Sequence, residues 1–228
     1  MVNTGEVARA EVETPNRRVR YSGGMAIDGV PGTAAPVRLM FDNIAGSMCG
    51  TLLPTGQPVN LIDGIACTLI DNGMPIVVMA AADFGLSGQE SREEIEAMVD
   101  LGARIEAIRL QAGPLMGLGD VTTASVPKMT LVSRARHGGT VSTRSFIPHR
   151  VHASVGVFAA VSVATACLLR EGPAPTLADL PDDGRFRVEH PTGALDVFLD
   201  IGPGGDVRGA GTIRTARKLF DGLVFAAV

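Results

Sequence analysis

One apolar segment, residues 154–169, constrains the fold of this 228-residue chain more than any other feature. Its composition predicts a helix with Ser154 as the N-cap, stopped by Gly172-Pro173. The helix has almost no polar face, so it must be buried on all sides. The run is too short and too rich in Gly, Ser and Thr for a membrane span, which needs about 20 apolar residues. Because strand-like runs flank it, we expect a β-barrel or strongly curved sheet wrapped round a central buried helix.

Composition agrees with a β-rich fold and disfavours several classes of function. The chain has 28 Gly and 14 Pro, which indicates many tight turns. Aromatic residues are 4% and the formal net charge is −4, so a nucleic-acid partner is not favoured. Cys49, Cys67 and Cys167 fit neither a disulfide framework nor a zinc-binding spacing. We expect a reducing, cytoplasmic setting, with Cys67 and Cys167 inert in the core and Cys49 more exposed.

Three strands within residues 59–80 form the clearest local pattern. Apolar, β-branched runs are separated by Asp63-Gly64 and by Asp71-Asn72-Gly73. Both turn sequences tolerate a positive φ and favour hairpins. The pattern predicts a meander with strands at residues 59–62, 65–70 and 75–80.

A capping box, Ser91-Arg-Glu-Glu94, predicts the start of an amphipathic helix. Apolar residues then recur at spacings of three and four, and the helix should end near Gly113-Pro114. Further strands are predicted at residues 7–13, 19–21, 126–134, 140–147, 187–189 and 194–201, and from residue 212 onward.

An internal repeat bears on the domain organisation. Residues 4–23 align without a gap to residues 192–211, which lie 188 positions later in the chain. Six positions are identical, and they include Thr4, Gly5, Pro15 and Gly23. The repeat suggests two related units. We therefore expect residues 1–48 to be terminal strands of an incomplete first unit. Residues 49–228 would form a second unit, whose last strands could return to the first.

The segment of residues 142–154 carries the most informative chemistry. It places four basic side chains directly before the apolar helix: Arg144, His149, Arg150 and His152. Free N–H groups at a helix N-terminus favour anions, and arginines clamp carboxylates, so we expect an anion site here. The alternative is that Ser154 merely caps the helix and the basic residues are solvated. Metal binding by the two histidines is a weaker alternative, because no third ligand is nearby.

Many short motifs, taken together, resemble the PrpF family. The likeness runs nearly end to end and includes residues 26–36, 53–56, 70–75, 108–116, 126–129, 145–150, 152–156, 160–167 and 215–220. Residues 45–50 are similar to the branch whose members interconvert keto and enol forms of 4-oxalomesaconate in gallate breakdown. Other members shift a double bond in aconitate-type or methylaconitate-type tricarboxylates.

The resemblance implies an α+β, diaminopimelate-epimerase-like fold with two pseudo-symmetric barrel halves and the active site between them. It implies an isomerase that moves protons on a small tricarboxylate or oxo-dicarboxylate, with no metal and no organic cofactor. The catalytic residue stays unknown, with His149 and His152 as candidates. By similarity the substrate-binding residues would be Asn72, Gly73, Arg144, His149, Arg150, His152, Ala153 and Ser154.

Two departures from the family pattern qualify this expectation. The catalytic lysine and the Cys-Gly-Asn segment of the family's N-terminal half do not occur in this sequence. Val151 stands where members often have Cys. The chain thus resembles the C-terminal part of a full enzyme, and we expect exposed apolar surface, self-association or dependence on a partner chain. A carboxylate-binding protein without catalysis is the alternative.

Overall fold

The computed structural model describes residues 7–225, which form thirteen strands and three α-helices. The helices are α1 (Arg92–Glu96), α2 (Val99–Leu115) and α3 (Val157–Cys167). The strands are β1 (Ala8–Val12), β2 (Met25–Ile27), β3 (Val30–Ala34), β4 (Pro36–Asp42), β5 (Asn60–Ile62), β6 (Ile65–Asp71), β7 (Pro75–Ala80), β8 (Lys128–Ser133), β9 (Val141–Ile147), β10 (Arg150–Val151), β11 (Arg185–His190), β12 (Gly193–Ile201) and β13 (Val207–Thr215).

Within these residues, eleven strands form one large mixed sheet. Their order is β1-β4-β13-β12-β11-β9-β8-β7-β6-β5, and β10 pairs with β9. The β7–β8 and β9–β11 pairs are parallel, whereas the other pairs are antiparallel. Strands β2 and β3 form a separate ribbon. The expectation of a mixed fold with a large sheet and few helices is confirmed.

Helix α3 is buried, as its sequence predicts. Every residue of the helix after Phe158 is shielded from solvent. The helix contacts β6 and β7 on one side and β11, β12 and β13 on the other. Its small apolar side chains pack in one core with Ile76 and Val78 of β7 and Val197 of β12. Among the described helices, none combines the length and apolar character that a membrane crossing requires.

The opposite face of the sheet is covered by α2. Ile105 and Ile108 of this helix pack against Val77 and Met79 of β7 in a second core. Alternate residues of β7 therefore face α3 and α2, so the strand is apolar on both faces. This two-sided burial explains why the sequence of the meander reads as continuous apolar runs. The predicted order of its three strands is confirmed by β5, β6 and β7.

The predicted helix from Ser91 is confirmed at its start and near its end, but it is divided into two helices. Ser91 Oγ accepts the Glu94 N–H at 3.1 Å, and the Glu94 carboxylate accepts the Ser91 N–H at 2.7 Å. The helix breaks between α1 and α2, and α2 ends at Leu115, next to the predicted end at Gly113-Pro114. It ends where Gly117 adopts a φ of +74° and the Leu118 N–H donates to the Gly113 carbonyl.

Residues 19–21 do not form the predicted strand. The Arg20 N–H donates to the Glu13 carbonyl, and the Tyr21 carbonyl accepts the Ala35 N–H. These are isolated bonds without a ladder, so the segment runs as a connection between β1 and β2. Thr4 and Gly5 of the internal repeat lie outside the described residues. The described parts of the repeat include β1 in its first copy and β12 in its second. In the sheet, these two strands flank the pair formed by β4 and β13.

The turn between β6 and β7 is anchored on α3. The Asn72 N–H donates to Ser162 Oγ at 3.0 Å, and Asn72 Nδ2 donates to Thr165 Oγ1 at 2.8 Å. Ser162 Oγ in turn donates to the Met74 carbonyl at 2.8 Å. The two polar side chains in the middle of α3 therefore bond the turn, which removes the desolvation cost of burying them. Gly73 follows with a φ of +86°.

We predict that Gly73→Ala lowers the free energy of unfolding by about 2–4 kcal/mol, because left-handed backbone strain is joined by steric overlap. A Cβ at Gly73 would lie 2.7 Å from Phe158 Cδ1. The matched control is Gly64→Ala, where φ is +75° and no atom lies within 4 Å of the added Cβ. That change should lower it by only about 1–2 kcal/mol. Equal decreases in the free energy of unfolding for the two variants, measured by urea denaturation, would contradict the steric part of this account.

Candidate functional site

The chain enters α3 through an extended segment and not through a capped turn at Ser154. Gly156 is the N-cap residue and α3 begins at Val157, so the predicted cap at Ser154 is wrong. The Ser154 N–H instead donates to His152 Nδ1 at 2.9 Å. The His152 N–H donates to the Ser145 carbonyl at 2.8 Å. Two amides that the sequence suggested for carboxylate binding are therefore hydrogen-bonded inside the chain.

An open cleft lies beside this segment. It is lined by residues of α1, of the β9–β10 hairpin and of the segment itself: Arg92, Ile147, Arg150, Val151, His152 and Ala153. The side chain of Arg150 is 74% exposed. The cleft brings together three of the predicted site residues, Arg150, His152 and Ala153, and adds Arg92. Two guanidinium groups beside an imidazole favour an anionic ligand.

Glu96 holds both arginines of the cleft. Its Oε1 accepts hydrogen bonds from Arg92 Nε and from the Val151 N–H, each at 3.1 Å. Arg150 Nε lies 3.7 Å from the same oxygen. The hydrogen bond from Arg92 is the largest cause of the lowered pKa of Glu96, and Val151 and Arg150 add to it. The ionised carboxylate thus ties α1 to β10 and sets the spacing of the two cations.

Ser154 links the cleft region to a buried histidine at the end of β11. Ser154 Oγ lies 3.4 Å from His190 Nε2. On the other side of the ring, the Thr192 N–H donates to His190 Nδ1 at 3.3 Å. Thr192 Oγ1 donates to the Ala153 carbonyl at 2.8 Å. The β11–β12 turn is therefore tied to the segment that precedes α3.

The surroundings of His190 favour the neutral ring. Burial is the largest cause of the lowered pKa of His190. Asp28 and the Ala153 backbone act in the opposite direction, whereas the nearby Arg144 guanidinium lowers the pKa further. The imidazole is therefore a neutral hydrogen-bonding group near pH 7.

Arg144 and His149 lie away from the open cleft. Arg144 is buried on β9, where its Nε donates to the Glu90 carbonyl at 2.7 Å and its Nη1 to the Thr143 carbonyl at 2.9 Å. The His149 side chain is 62% exposed, and its Nδ1 lies 3.5 Å from Glu106 Oε2 on α2. The structure therefore does not bring these two predicted residues into the same cleft as Arg150.

Asn72 and Gly73 also lie apart from the open cleft. Asn72 is buried against α3 and reaches a second cleft, which is lined by Asn43, Ile44, Ala45, Asn72, Asp206, Val207, Arg208 and Gly209. That cleft shares no lining residue with the first one. The side chain of Phe158 stands over Gly73. The open cleft thus holds Arg150, His152 and Ala153 and the second cleft holds Asn72, while Arg144 and His149 line neither.

The cysteines are free thiols with little nucleophilic character. Burial raises the pKa of Cys49, Cys67 and Cys167 to about 12, and Asp71 adds to this at Cys49. Cys67 and Cys167 are in the core and Cys49 is more exposed, as expected. Within residues 7–225, no group of three or more His, Cys, Asp or Glu side chains is arranged to hold a metal ion.

A buried carboxylate fixes the strand that carries His190. Glu189 accepts the N–H groups of Arg136, His137 and Gly139 at 2.9, 2.7 and 3.0 Å. Burial raises the pKa of Glu189, but these three hydrogen bonds together outweigh it, so the pKa is lowered. The loop between β8 and β9 is therefore folded around an ionised carboxylate at the end of β11.

Two residues of this region were missed in the sequence. Arg92 lies within the capping box of α1, a position at which an arginine does not by itself indicate a binding site. It is linked to Arg150 only through Glu96. His190 meets Ser154 across 36 residues of sequence. No local pattern marks such a contact, because it depends on how the β11–β12 turn meets the segment before α3.

Comparison with known proteins identifies relatives along the whole chain. A family model described as PrpF protein matches residues 1–227. A (4E)-oxalomesaconate Δ-isomerase of Novosphingobium sp. strain KA1 is 55% identical over 99% of this chain. A 4-oxalomesaconate tautomerase of Pseudomonas putida strain KT2440 is 52% identical over 98% of it.

A similar fold occurs in a solved structure. The crystal structure of a methylitaconate-Δ-isomerase superposes with a TM-score of 0.89 at 27% identity, covering 97% of this chain and 63% of that one. The chain spans 64% and 62% of the length of the two sequence relatives. Both kinds of comparison therefore match this chain to part of a longer protein.

We predict that Glu189→Gln lowers the free energy of unfolding by about 2 kcal/mol at pH 7, because the three amides lose an ionised acceptor. Glu171→Gln, at an exposed position, is the control and should change it little. The folded-state pKa of Glu189 is lowered. Its contribution is therefore present above the unfolded pKa, about 4.3, and is lost as the pH falls through the folded value. If the difference in free energy of unfolding between the parent chain and Glu189→Gln, measured by urea denaturation, is unchanged at pH 3, this assignment is contradicted.

Proposed function

The chain belongs to the PrpF family, and from that membership we propose that it acts in the isomerisation of 4-oxalomesaconate, a step of gallate breakdown. In this proposal the open cleft binds the substrate carboxylates. Ser154 donates a hydrogen bond to the reacting part of the substrate. The chain is thereby an isomerase of the keto–enol tautomerase type.

The observation that carries this proposal is the identity to two relatives named for the same substrate. At 55% and 52% over nearly the full chain, they are much more similar to this sequence than the 27% identical methylitaconate isomerase. A cleft with two arginines and a histidine suits a substrate with several carboxylates. The sequence similarity and the chemistry of the cleft thus favour the same substrate class.

An isomerisation of this kind moves one proton within the substrate and consumes no second substrate. A base accepts a proton from carbon and leaves a dienolate, whose negative charge rests on oxygen, and an acid then returns a proton to another atom of the substrate. Hydrogen-bond donors that meet this charge lower the barrier, and cations that hold the carboxylates orient the substrate. The chain's own contribution would be orientation by Arg92 and Arg150 and charge stabilisation by the Ser154 hydroxyl.

A double-bond isomerase acting on an aconitate-type tricarboxylate is the second candidate. The close superposition with the methylitaconate-Δ-isomerase favours the double-bond shift as the type of reaction. The same cleft could hold either substrate, since both carry several carboxylates. Turnover of one substrate and not of the other distinguishes the two candidates.

We extend the proposal to the domain architecture. The sheet would form a barrel around α3, since strands from two parts of the sheet contact this helix. Residues 1–48 would belong to a first epimerase-like unit and residues 49–228 to a second. We further propose a cytoplasmic location, which the three free thiols support.

We predict that the purified chain associates with itself or with a partner chain through its C-terminal segment. Leu219, Phe220, Leu223, Val224 and Phe225 are each more than two-thirds exposed. Sedimentation velocity should show association that increases with protein concentration. Replacing Phe220 and Phe225 by Ser should reduce it, whereas a monomer at all concentrations would contradict the prediction.

We predict that the chain binds 4-oxalomesaconate and accelerates its keto–enol interconversion, measured by calorimetry and by ultraviolet absorbance. Arg150→Ala should weaken binding about tenfold, because a charge-assisted contact is lost. Ser154→Ala should lower kcat about tenfold to a hundredfold with little change in KM. Arg170→Ala, at an exposed position beyond α3, is the control.

Three outcomes of these measurements have different meanings. Binding that depends on Arg150 without any turnover would replace the catalytic proposal by the carboxylate-binding alternative. Turnover of an aconitate-type substrate alone would favour the second candidate. Binding that is unchanged in Arg150→Ala would contradict the assignment of the cleft.

A further inference from the structure

The environment of His190 determines which ring nitrogen carries the proton. The ring is buried, and the Thr192 N–H donates to its Nδ1 at 3.3 Å. Thr192 Oγ1 also lies 3.3 Å from Nδ1, but its own proton goes to the Ala153 carbonyl. The Thr192 N–H cannot give up its hydrogen, so Nδ1 acts as the acceptor of that amide. The neutral ring therefore carries its proton on Nε2.

The tautomer decides the direction of the hydrogen bond between His190 and Ser154. His190 Nε2 lies 3.4 Å from Ser154 Oγ. Because Nε2 bears the proton, the ring donates and the serine oxygen accepts. The serine hydroxyl proton is then free to point elsewhere. This arrangement is the reverse of a histidine that removes a proton from a serine nucleophile.

Ser154 directly follows two residues that line the open cleft, and it is not itself a lining residue. Its own N–H is bonded to His152 Nδ1 at 2.9 Å, and the neighbouring His152 and Ala153 line the open cleft. The Ala153 carbonyl is fixed by Thr192 Oγ1 at 2.8 Å. Both ends of the Ser154–His190 contact are thus held by backbone hydrogen bonds, so the pair has one defined geometry.

The charged groups around His190 come from four elements. Asp28 lies in the β2–β3 turn, Arg144 on β9 and His152 after β10, while Glu189 precedes the histidine on β11. The Asp28 carboxylate is itself bonded to the Ala194 N–H at 2.8 Å. Burial and the neighbouring Arg144 prevail over Asp28 and the Ala153 backbone, so the pKa of His190 is lowered. The neutral, donating ring is therefore the form present near pH 7.

We infer that His190 is a positioning residue that donates a hydrogen bond to Ser154 and thereby keeps the serine hydroxyl proton available for the charge that develops on the substrate. This role rests on the proposed function of Ser154. A hydroxyl that accepts one hydrogen bond is a stronger donor of the next, so the ring also strengthens the contact to the substrate.

Kinetics of four variants test this role. His190→Leu removes the donor and should lower kcat about tenfold with KM within about twofold, because only the contact made in the transition state weakens. His190→Gln can supply an amide N–H at the position of Nε2 and should restore most of the activity. In the Ser154→Ala background, His190→Leu should have no further effect. Additive losses, or no rescue by Gln, would overturn the inference.

Acid pH supplies a further readout of the same role. Protonation of Nδ1 would remove the acceptor of the Thr192 N–H, so kcat should fall as the pH drops through the pKa of His190. In His190→Gln this fall should be absent, because the amide does not titrate. A fall of the same size in the variant would count against the inference.

The ring tautomer is measured directly and without turnover. Long-range nitrogen–proton NMR spectra of the four histidines, assigned through single His→Gln variants, report which nitrogen bears hydrogen. His190 should be protonated on Nε2 at pH 7.5, and Ser154→Ala should shift its Nε2 resonance while leaving His152 little changed. A proton on Nδ1 would overturn the inference. This result stands whether or not the chain turns over 4-oxalomesaconate, so the two proposals can fail separately.

Discussion

Burial of α3 is the constraint on which the rest of the structure depends. A helix whose residues are almost all apolar has to be buried, and α3 contacts β6, β7, β11, β12 and β13 of the large sheet. Its two central polar residues, Ser162 and Thr165, are satisfied by bonds that hold the turn at Asn72. The helix is therefore anchored as well as covered, which fixes the position of its N-terminus.

The candidate site follows from that position. The β9–β10 hairpin delivers Arg150 and His152 just before α3, and the β11–β12 turn meets the same segment through Thr192. Glu96 sets the position of Arg92 beside Arg150. The cations lie at the open surface, while His190 lies beneath Ser154. The resulting site has charged side chains at the surface for binding, and a buried hydrogen bond from His190 to the Ser154 hydroxyl.

Local patterns predicted most of the elements and fewer of the site contacts. The meander, the capping box at Ser91 and the burial of α3 follow from turn residues, spacing and apolarity, so they could be read directly from the sequence. The cap at Ser154 was wrong because the ring of His152 takes the amide that a helix start would have left free. His190 and Arg92 reach the site through contacts between distant elements, which no local pattern encodes.

The central claim is that the cleft before α3 binds a substrate with several carboxylates. The most direct measurement is a titration of the nitrogen-labelled chain with propane-1,2,3-tricarboxylate, an unreactive probe, followed by amide chemical shifts. The account predicts saturable shifts at residues 92 and 147–153 and in the turn at Thr192. Shifts confined to the second cleft, at Asn72 and Arg208, or no saturable shifts at all, would contradict it.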